Sequence, residues 1–268
     1  MLNEIRSKKV SVIMPAYNAA GTIRASIDSL INQSFNDWEL LVIDDCSSDD
    51  TVKEVEKLIE ETSGYDIRLI KNEENRGVAY SRNHGIELSN GEWIAFLDSD
   101  DMWERDKLEK QIKHAKELAL NEGLIFTGSS FISKDNRRLD YILHVPEMID
   151  RKSLLKQNLI SCSSVLVSRK LIMKYKFPEG IKTIHEDFAV WLDVLREIKI
   201  AYGIDEPLLI YRIASDSKSG KKSKAAVMNW NTYKYVGLSA IERVYYMLHY
   251  IINGIMKWGQ IGRAEKWE

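Results

Sequence analysis

Apolar residues come in short bursts along the first hundred positions, and the spacing inside the bursts alternates between two periods. Val10 to Met14 and Glu39 to Ile43 are runs of strand length, whereas Ile23, Ile27, Leu30 and Ile31 recur at the spacing that turns one helical face toward a core. A second helical stretch passes through Val52, Val55 and Ile59, after Ser47, Ser48 and Asp49, whose side chains can cap its free amides. Ile67 to Ile70 reads as a third strand, Val78 to Leu88 as a third helix and Trp93 to Leu97 as a fourth strand. Strand and helix in alternation predict an α/β fold, a mostly parallel central sheet with helices on both faces.

The pattern beyond residue 104 is less regular. Leu108, Ile112, Ala115 and Leu118 predict a helix, Leu124 to Ile132 and Ser164 to Val167 predict β segments, and a helix runs from Asp187 through Trp191, Leu192 and Leu195. Ile200 to Ile204 and Leu208 to Arg212 read as two edge strands. Ser215 to Lys224 is polar and lysine-rich, which predicts a mobile loop. From Ser239 on, Ile241, Val244, Tyr245, Leu248, Ile251, Ile252, Ile255 and Met256 fall at helical spacing, bordered by Arg243, Lys257, Trp258, Arg263 and Trp267. That is an amphipathic helical tail. The division expected is 1–104, 105–214 and 215–268.

Composition narrows the class. In 268 residues, 44% hydrophobic, there is material for one large domain or a core with an appendage. A formal net charge of −2 argues against nucleic acid as the main partner. The charge is uneven: residues 215–268 hold nine Lys or Arg against four Asp or Glu, leaving 29 against 36 before them. Cys46 and Cys162 stand outside any metal-type spacing, which fits a reducing compartment. With no apolar leader at the start and no membrane-spanning run, the expected location is the cytoplasm.

The chemistry gathers where strands end. The apolar run Trp93 to Leu97 stops abruptly in Asp98, Ser99, Asp100 and Asp101, and three carboxylates that close repel one another unless a cation sits among them. A hard divalent cation with a phosphate on its far side fits such oxygen ligands, while a solvated turn capping the next helix is the competing reading. The first strand ends in Pro15, Ala16, Tyr17 and Asn18: Pro15 stiffens the exit and Tyr17 offers a ring for a base to stack on. The second ends in Asp44 and Asp45, able to accept from a base imide or ribose hydroxyl or simply to cap a helix. Gly77 allows a tight turn into a helix that carries Arg82 and Asn83 toward the same crevice, where Arg82 can also pair with Asp44 or Asp98.

Taken together, Val12-Ile13-Met14-Pro15-Ala16-Tyr17-Asn18, Val42-Ile43-Asp44-Asp45-Cys46-Ser47, Asn75-Arg76-Gly77, Ser81-Arg82-Asn83 and Leu97-Asp98-Ser99-Asp100-Asp101 resemble the inverting nucleotide-sugar glycosyltransferases of family 2, with the GT-A fold. The match runs from residue 10 to about residue 212. The resemblance implies that Asp98, Asp100 and Asp101 hold the donor ribose and a Mn²⁺ or Mg²⁺ ion, with Asp100 and Asp101 at the metal. Pro15, Tyr17, Asp44, Asp45, Arg82, Asp98 and Asp100 would then bind the nucleotide-sugar, expected to be UDP-linked.

The family's second landmark, a Glu-Asp pair opening a helix, resembles Glu186-Asp187, which makes Asp187 the general base; simple capping of the first turn is the alternative. His185 is a candidate metal ligand or second base, or else a structural or substrate hydrogen-bond partner; Glu186 is a candidate acceptor or diphosphate contact, and Trp191 a candidate acceptor stack or a core residue. Many relatives carry a Tyr-Arg-x-His segment, but here Ala214 follows Tyr211, Arg212 and Ile213, so Arg212, Lys218 and Lys221 are the candidate diphosphate contacts. A Gln-x-x-Arg-Trp segment is missing, which favours transfer of a single sugar. The acceptor expected is a glycan or lipid-linked saccharide of a bacterial O-antigen or capsule. The tail can lie on the inner membrane face, on the domain, or on a second copy in a homodimer. The competing functions are a nucleotidyltransferase, for which Ala19, Ala20 and Gly21 make a poor phosphate loop, and a noncatalytic sugar-nucleotide-binding module.

Overall fold

A computed structural model describes residues 9–213 and 222–264. The first half follows the predicted alternation: β1 (Val10–Ala16), α1 (Ile23–Ile31), β2 (Trp38–Asp44), α2 (Thr51–Glu61), β3 (Ile67–Lys71), α3 (Val78–Leu88) and β4 (Trp93–Phe96). After it come β5 (Met102–Trp103), α4 (Lys107–Glu117), β6 (Leu124–Ser133), β7 (Arg138–Leu143), β8 (Met148–Asp150), α5 (Arg151–Lys156), β9 (Leu166–Ser168) and α6 (Arg169–Lys174). The last elements are α7 (Glu186–Ile198), β10 (Ile200–Ile213), α8 (Lys222–Tyr235) and α9 (Ala240–Ala264).

One sheet runs through the molecule in the order β3-β2-β1-β4-β9-β6-β10-β5, with β7 on β6 and β8 on β10. Strands β3, β2, β1 and β4 are mutually parallel, as are β6 and β10, and antiparallel β9 sits between β4 and β6. The sheet is therefore mixed, with parallel blocks on either side of β9. Period-2 alternation sends the two faces of each strand to different cores. Val10, Val12 and Met14 of β1 meet α1, α2 and α4 through Ile27, Val55 and Leu108, while Ile13 joins Ile43 and Phe96 against α3 and α7. Gly85 lets α3 approach that closely, since a Cβ there would lie 2.5 Å from the Ile13 side chain.

Two expectations change, and a third holds. The two edge strands are one, β10, which pairs with β6 in parallel on both sides of a register shift between Ile204 and Leu209 and lies inside the sheet. The described part of the expected loop, from Lys222, opens helix α8; Ala214, Lys218 and Lys221 lie outside the described residues. The tail helix α9 does form, and packs one side against α5, α8 and β7. Tyr246 and Met247 meet the core, while Ile241, Val244, Leu248 and Ile252 stay exposed on the outer side. No helix among the described residues is long and apolar enough to cross a membrane.

Candidate active site

The parallel strands β1, β2 and β4 bring their C-terminal ends to one rim, the usual ligand position of an open α/β sheet. Pro15 fits there for a local reason. The Ile13 carbonyl accepts from the Leu97 amide on the β4 side, so Pro15, two residues on, turns its missing N–H toward the place where β4 has ended. Tyr17 then leaves the sheet and is 53% exposed, with its ring on the cleft wall.

Asp44 and Asp45 separate. Asp45 lines the cleft and latches the turn into α3, accepting from the Gly77 amide at 2.7 Å, the Arg76 amide at 3.0 Å and Asn72 at 2.9 Å. Gly77 makes that turn possible by adopting φ +89°, which a side chain would strain. Asp44 is buried away from the cleft lining: its Oδ2 accepts from the Ser47 amide, and its Oδ1 finds no hydrogen-bond partner among the described residues. The expectation that both face the donor is corrected, because neighbouring residues of a strand point to opposite sides.

The same division falls on the acidic turn after β4. Asp98 and Asp100 line the cleft. Asp101 is 2% exposed and does not line it; its oxygens accept from the Ser163 hydroxyl at 2.7 Å and the Arg212 amide at 3.1 Å. Its expected place at a metal is thus corrected to a brace behind the turn. Ser163 was not anticipated. Its hydroxyl also accepts from the Asp98 amide at 3.1 Å, so one residue fixes both ends of the turn. Burial first, then the charge of Asp98, push the Asp100 carboxyl up to about 6. Burial, then Asp100 and Asp98, raise Asp101 well above the carboxylate range.

Arg82 joins this turn to the second landmark. Its side chain is only 5% exposed and donates to Asp98 at 2.7 Å and to Glu186 at 3.2 Å. Although burial opposes its charge, Asp98 and Glu186 raise the guanidinium pKa well above its ordinary value. Asn83 turns the other way and pins the Phe177 backbone with hydrogen bonds of 2.8 and 2.9 Å. Glu186 and Asp187 begin α7, where Asp187 accepts from the Phe188 amide at 2.7 Å and faces the cleft. Burial, then the charge of Glu186, raise the Asp187 carboxyl above its usual range, the direction a general base needs.

His185 also lines the cleft, its backbone amide donating to the Thr232 hydroxyl and its Nε2 facing the Ala225 carbonyl at 3.3 Å. A carbonyl partner makes Nε2 a donor, so that nitrogen is not available to a metal. Trp191 is fully buried against Phe96 and Phe177, which excludes it as an acceptor stack. Arg212 borders the cleft but spends Nε on the Asp100 carbonyl at 2.9 Å and Nη1 on Asn136 at 2.7 Å. It holds the loop that carries Asp100.

Among the described residues no group of three or more His, Cys, Asp and Glu side chains is arranged to hold a metal by itself. What the donor set offers is the Asp100 carboxylate, which lines the cleft and is crowded by Asp98. A divalent cation sharing its shell between Asp100 and a diphosphate fits that single hard ligand. The cleft, about 1200 Å³, reaches from Tyr17 past Asp100 and Asp187 to α9.

A parallel sheet rim that sets acidic turns against a carboxylate-headed helix, over a cleft with room for two substrates, is the layout of a GT-A nucleotide-sugar transferase. The model of Glycosyl transferase family 2 matches residues 11–175, and the chain belongs to that family. It is 38% identical over 241 residues to TuaG of Bacillus subtilis (strain 168), whose name places it in teichuronic acid biosynthesis, with 89% of this chain and 90% of TuaG covered. It is 36% identical over 249 residues, 92% of this chain and 94% of the relative, to the UDP-Glc:alpha-D-GlcNAc-diphosphoundecaprenol beta-1,3-glucosyltransferase WfgD of Escherichia coli. Among solved structures, S. aureus TarS 1–349 in complex with UDP-GlcNAc superposes with a TM-score of 0.69 at 16% identity, covering 92% of this chain and 73% of TarS. The mannosyltransferase PcManGT from Pyrobaculum calidifontis, in complex with GDP-Man and Mn²⁺, gives 0.68 at 18% identity, covering 91% and 69%. At those identities the two structures share the fold.

Proposed function

We propose that the chain transfers one sugar, with inversion, from a UDP-linked donor to a hydroxyl of a lipid-linked saccharide during bacterial surface polysaccharide assembly. One observation carries the reading: Asp98 and Asp100, at the end of β4, share a cleft with Asp187 at the start of α7, and buried Arg82 ties the two segments together. The relatives support the substrate classes, since WfgD is named for a UDP-sugar donor and a diphosphoundecaprenol-linked acceptor. Tyr17 and Asp45 would receive the nucleoside.

In the reaction Asp187 takes the proton of the acceptor hydroxyl as its oxygen bonds to the anomeric carbon. The bond from that carbon to the diphosphate breaks on the opposite side, so one displacement inverts the centre. A Mn²⁺ or Mg²⁺ ion held by Asp100 would neutralise charge on the departing diphosphate. Asp98, steadied by Arg82, orients the donor, and the brace through Ser163, Asp101 and Arg212 keeps Asp100 in place.

The enzyme would work at the cytoplasmic face of the membrane that carries the acceptor. The exposed stripe of Ile241, Val244, Leu248 and Ile252 on α9, with the basic residues of the tail, suits an anionic leaflet. A homodimer through the same stripe predicts instead a concentration-dependent mass without lipid. The nucleotidyltransferase alternative finds no support, because family 2 relatives cover most of the chain.

The test is a panel of UDP-, GDP- and dTDP-sugars with lipid-linked acceptors and Mn²⁺, alongside Asp187→Ala. Transfer from a UDP-sugar, lost in the variant while donor binding persists, is the expected result. Turnover of a nucleoside triphosphate in place of every sugar donor would sink the reading.

A further inference from the structure

Resting on the transferase reading, a second question is what the far end of the cleft receives. Small-molecule sites are about 300–1,000 Å³, so the cleft exceeds what a donor alone needs. Its last wall is α9, through Tyr250, Asn253 and Gly254. That wall is fixed: Asn253 donates to the Lys156 carbonyl at 3.2 Å, and Asn229 reaches the Met247 sulfur at 3.6 Å. Two features of it are unused by the fold. The half-buried Tyr250 makes no hydrogen bond through its hydroxyl among the described residues. At Gly254 an added Cβ would meet nothing within 4 Å, which leaves a notch in the helix surface.

The groups gathered here are an aromatic ring and neutral amides, with Gln157 and Asn158 on the segment that follows Lys156, whose carbonyl Asn253 contacts. A ring face suits the C–H side of a pyranose, and amides suit its hydroxyls. A phosphate would call for several cations. We propose that the inner side of α9 is an acceptor subsite for the sugar unit next to the reacting one, with Tyr250 as its stacking plate and Gly254 as the notch that admits the ring. Acceptor length, rather than only the reacting sugar, is then selected by this helix.

The experiment compares wild type with Gly254→Phe and Tyr250→Ala, using monosaccharide and disaccharide glycosides as acceptors and UDP-sugar binding by calorimetry as the measure of an intact donor side. Phenylalanine removes a helix-interior glycine, so the helix itself should tolerate it. The expected result is a rise of about tenfold or more in KM for disaccharides, with the monosaccharide KM and the donor Kd moving much less. Equal effects on both acceptor lengths, or none, would overturn the subsite, as would selective loss of acceptors that carry a diphosphate in place of the second sugar. Failure of the wild type to bind or use any nucleotide-sugar overturns the transferase reading itself, and registers on the donor side rather than in acceptor length.

Discussion

Replacing Arg82 with methionine keeps a long side chain in the same space and removes the charge that two acidic segments share. The guanidinium side chain is 5% exposed, and its partners Asp98 and Glu186 are 31% and 14% exposed. Breaking a buried ion pair by deleting one partner costs roughly 3–5 kcal/mol, because the other is left charged and unpaired. Asp98 is partly solvated, which sets the expectation near the lower end, about 3 kcal/mol. At roughly 2–4 °C per kcal/mol for a chain of this size, thermal unfolding followed by circular dichroism should drop by about 6–12 °C. Combining Arg82→Met with Glu186→Gln gives the coupling directly: once Arg82 is gone, Glu186→Gln should cost less by about 0.5–3 kcal/mol than it does in the wild type. An unchanged midpoint together with strictly additive single effects would refute the idea that Arg82 binds the two segments into one unit.

Asp187→Asn should lower kcat by roughly 10²–10⁴-fold with UDP-sugar affinity retained, as measured by steady-state kinetics and calorimetry. A base acts deprotonated, and burial and Glu186 raise this carboxyl, so kcat/KM should climb with pH through a midpoint above the ordinary carboxylate range, and Glu186→Gln should move that midpoint down. Asp100→Asn should remove the Mn²⁺ dependence of donor binding, whereas Asp101→Asn should chiefly lower the unfolding midpoint; chelation followed by calorimetry separates them. Trp191→Ala should cost about 3–5 kcal/mol in urea unfolding without a selective rise in acceptor KM, because the ring is packed between Phe96 and Phe177.

The first half of the fold was legible because its signals are local. Ile23, Ile27 and Leu30 mark the buried face of α1 by spacing alone, and the run before Asp98 marks β4 by its sudden end. β10 was read as two strands because Asp205, Glu206 and Pro207 look like a turn. The structure absorbs them as an irregularity, with Asp205 accepting from the Val145 amide and Glu206 pairing with Lys110. Short segments such as β8, α5 and α6 carry too few positions for a period to show, and tertiary contacts decide them. Residue type brings the acids to the strand ends but does not say which of them face the cleft. Asp44 against Asp45, and Asp98 and Asp100 against Asp101, part by the side to which each residue faces. Ser163 carried no signal, since its role depends on a strand pairing far along the chain. Lys107 was missed too; it is fully buried at 4.0 Å from the Trp103 ring, and burial pushes its pKa well down.

Antiparallel β9, set between β4 and β6, has a consequence for how the enzyme comes into being. An antiparallel neighbour starts where a parallel strand stops, so the turn entering β9 delivers Ser163 to the acidic rim only when that strand is seated. The first four strands are complete in sequence long before it, and can pair through short crossovers, whereas closing the long loop to β9 is the entropically slower event. During synthesis the acidic turn therefore waits without its brace until the middle of the sheet is filled. Donor binding becomes a readout of finished folding, and a chain stalled before β9 docks would hold the acids of the site without their working order.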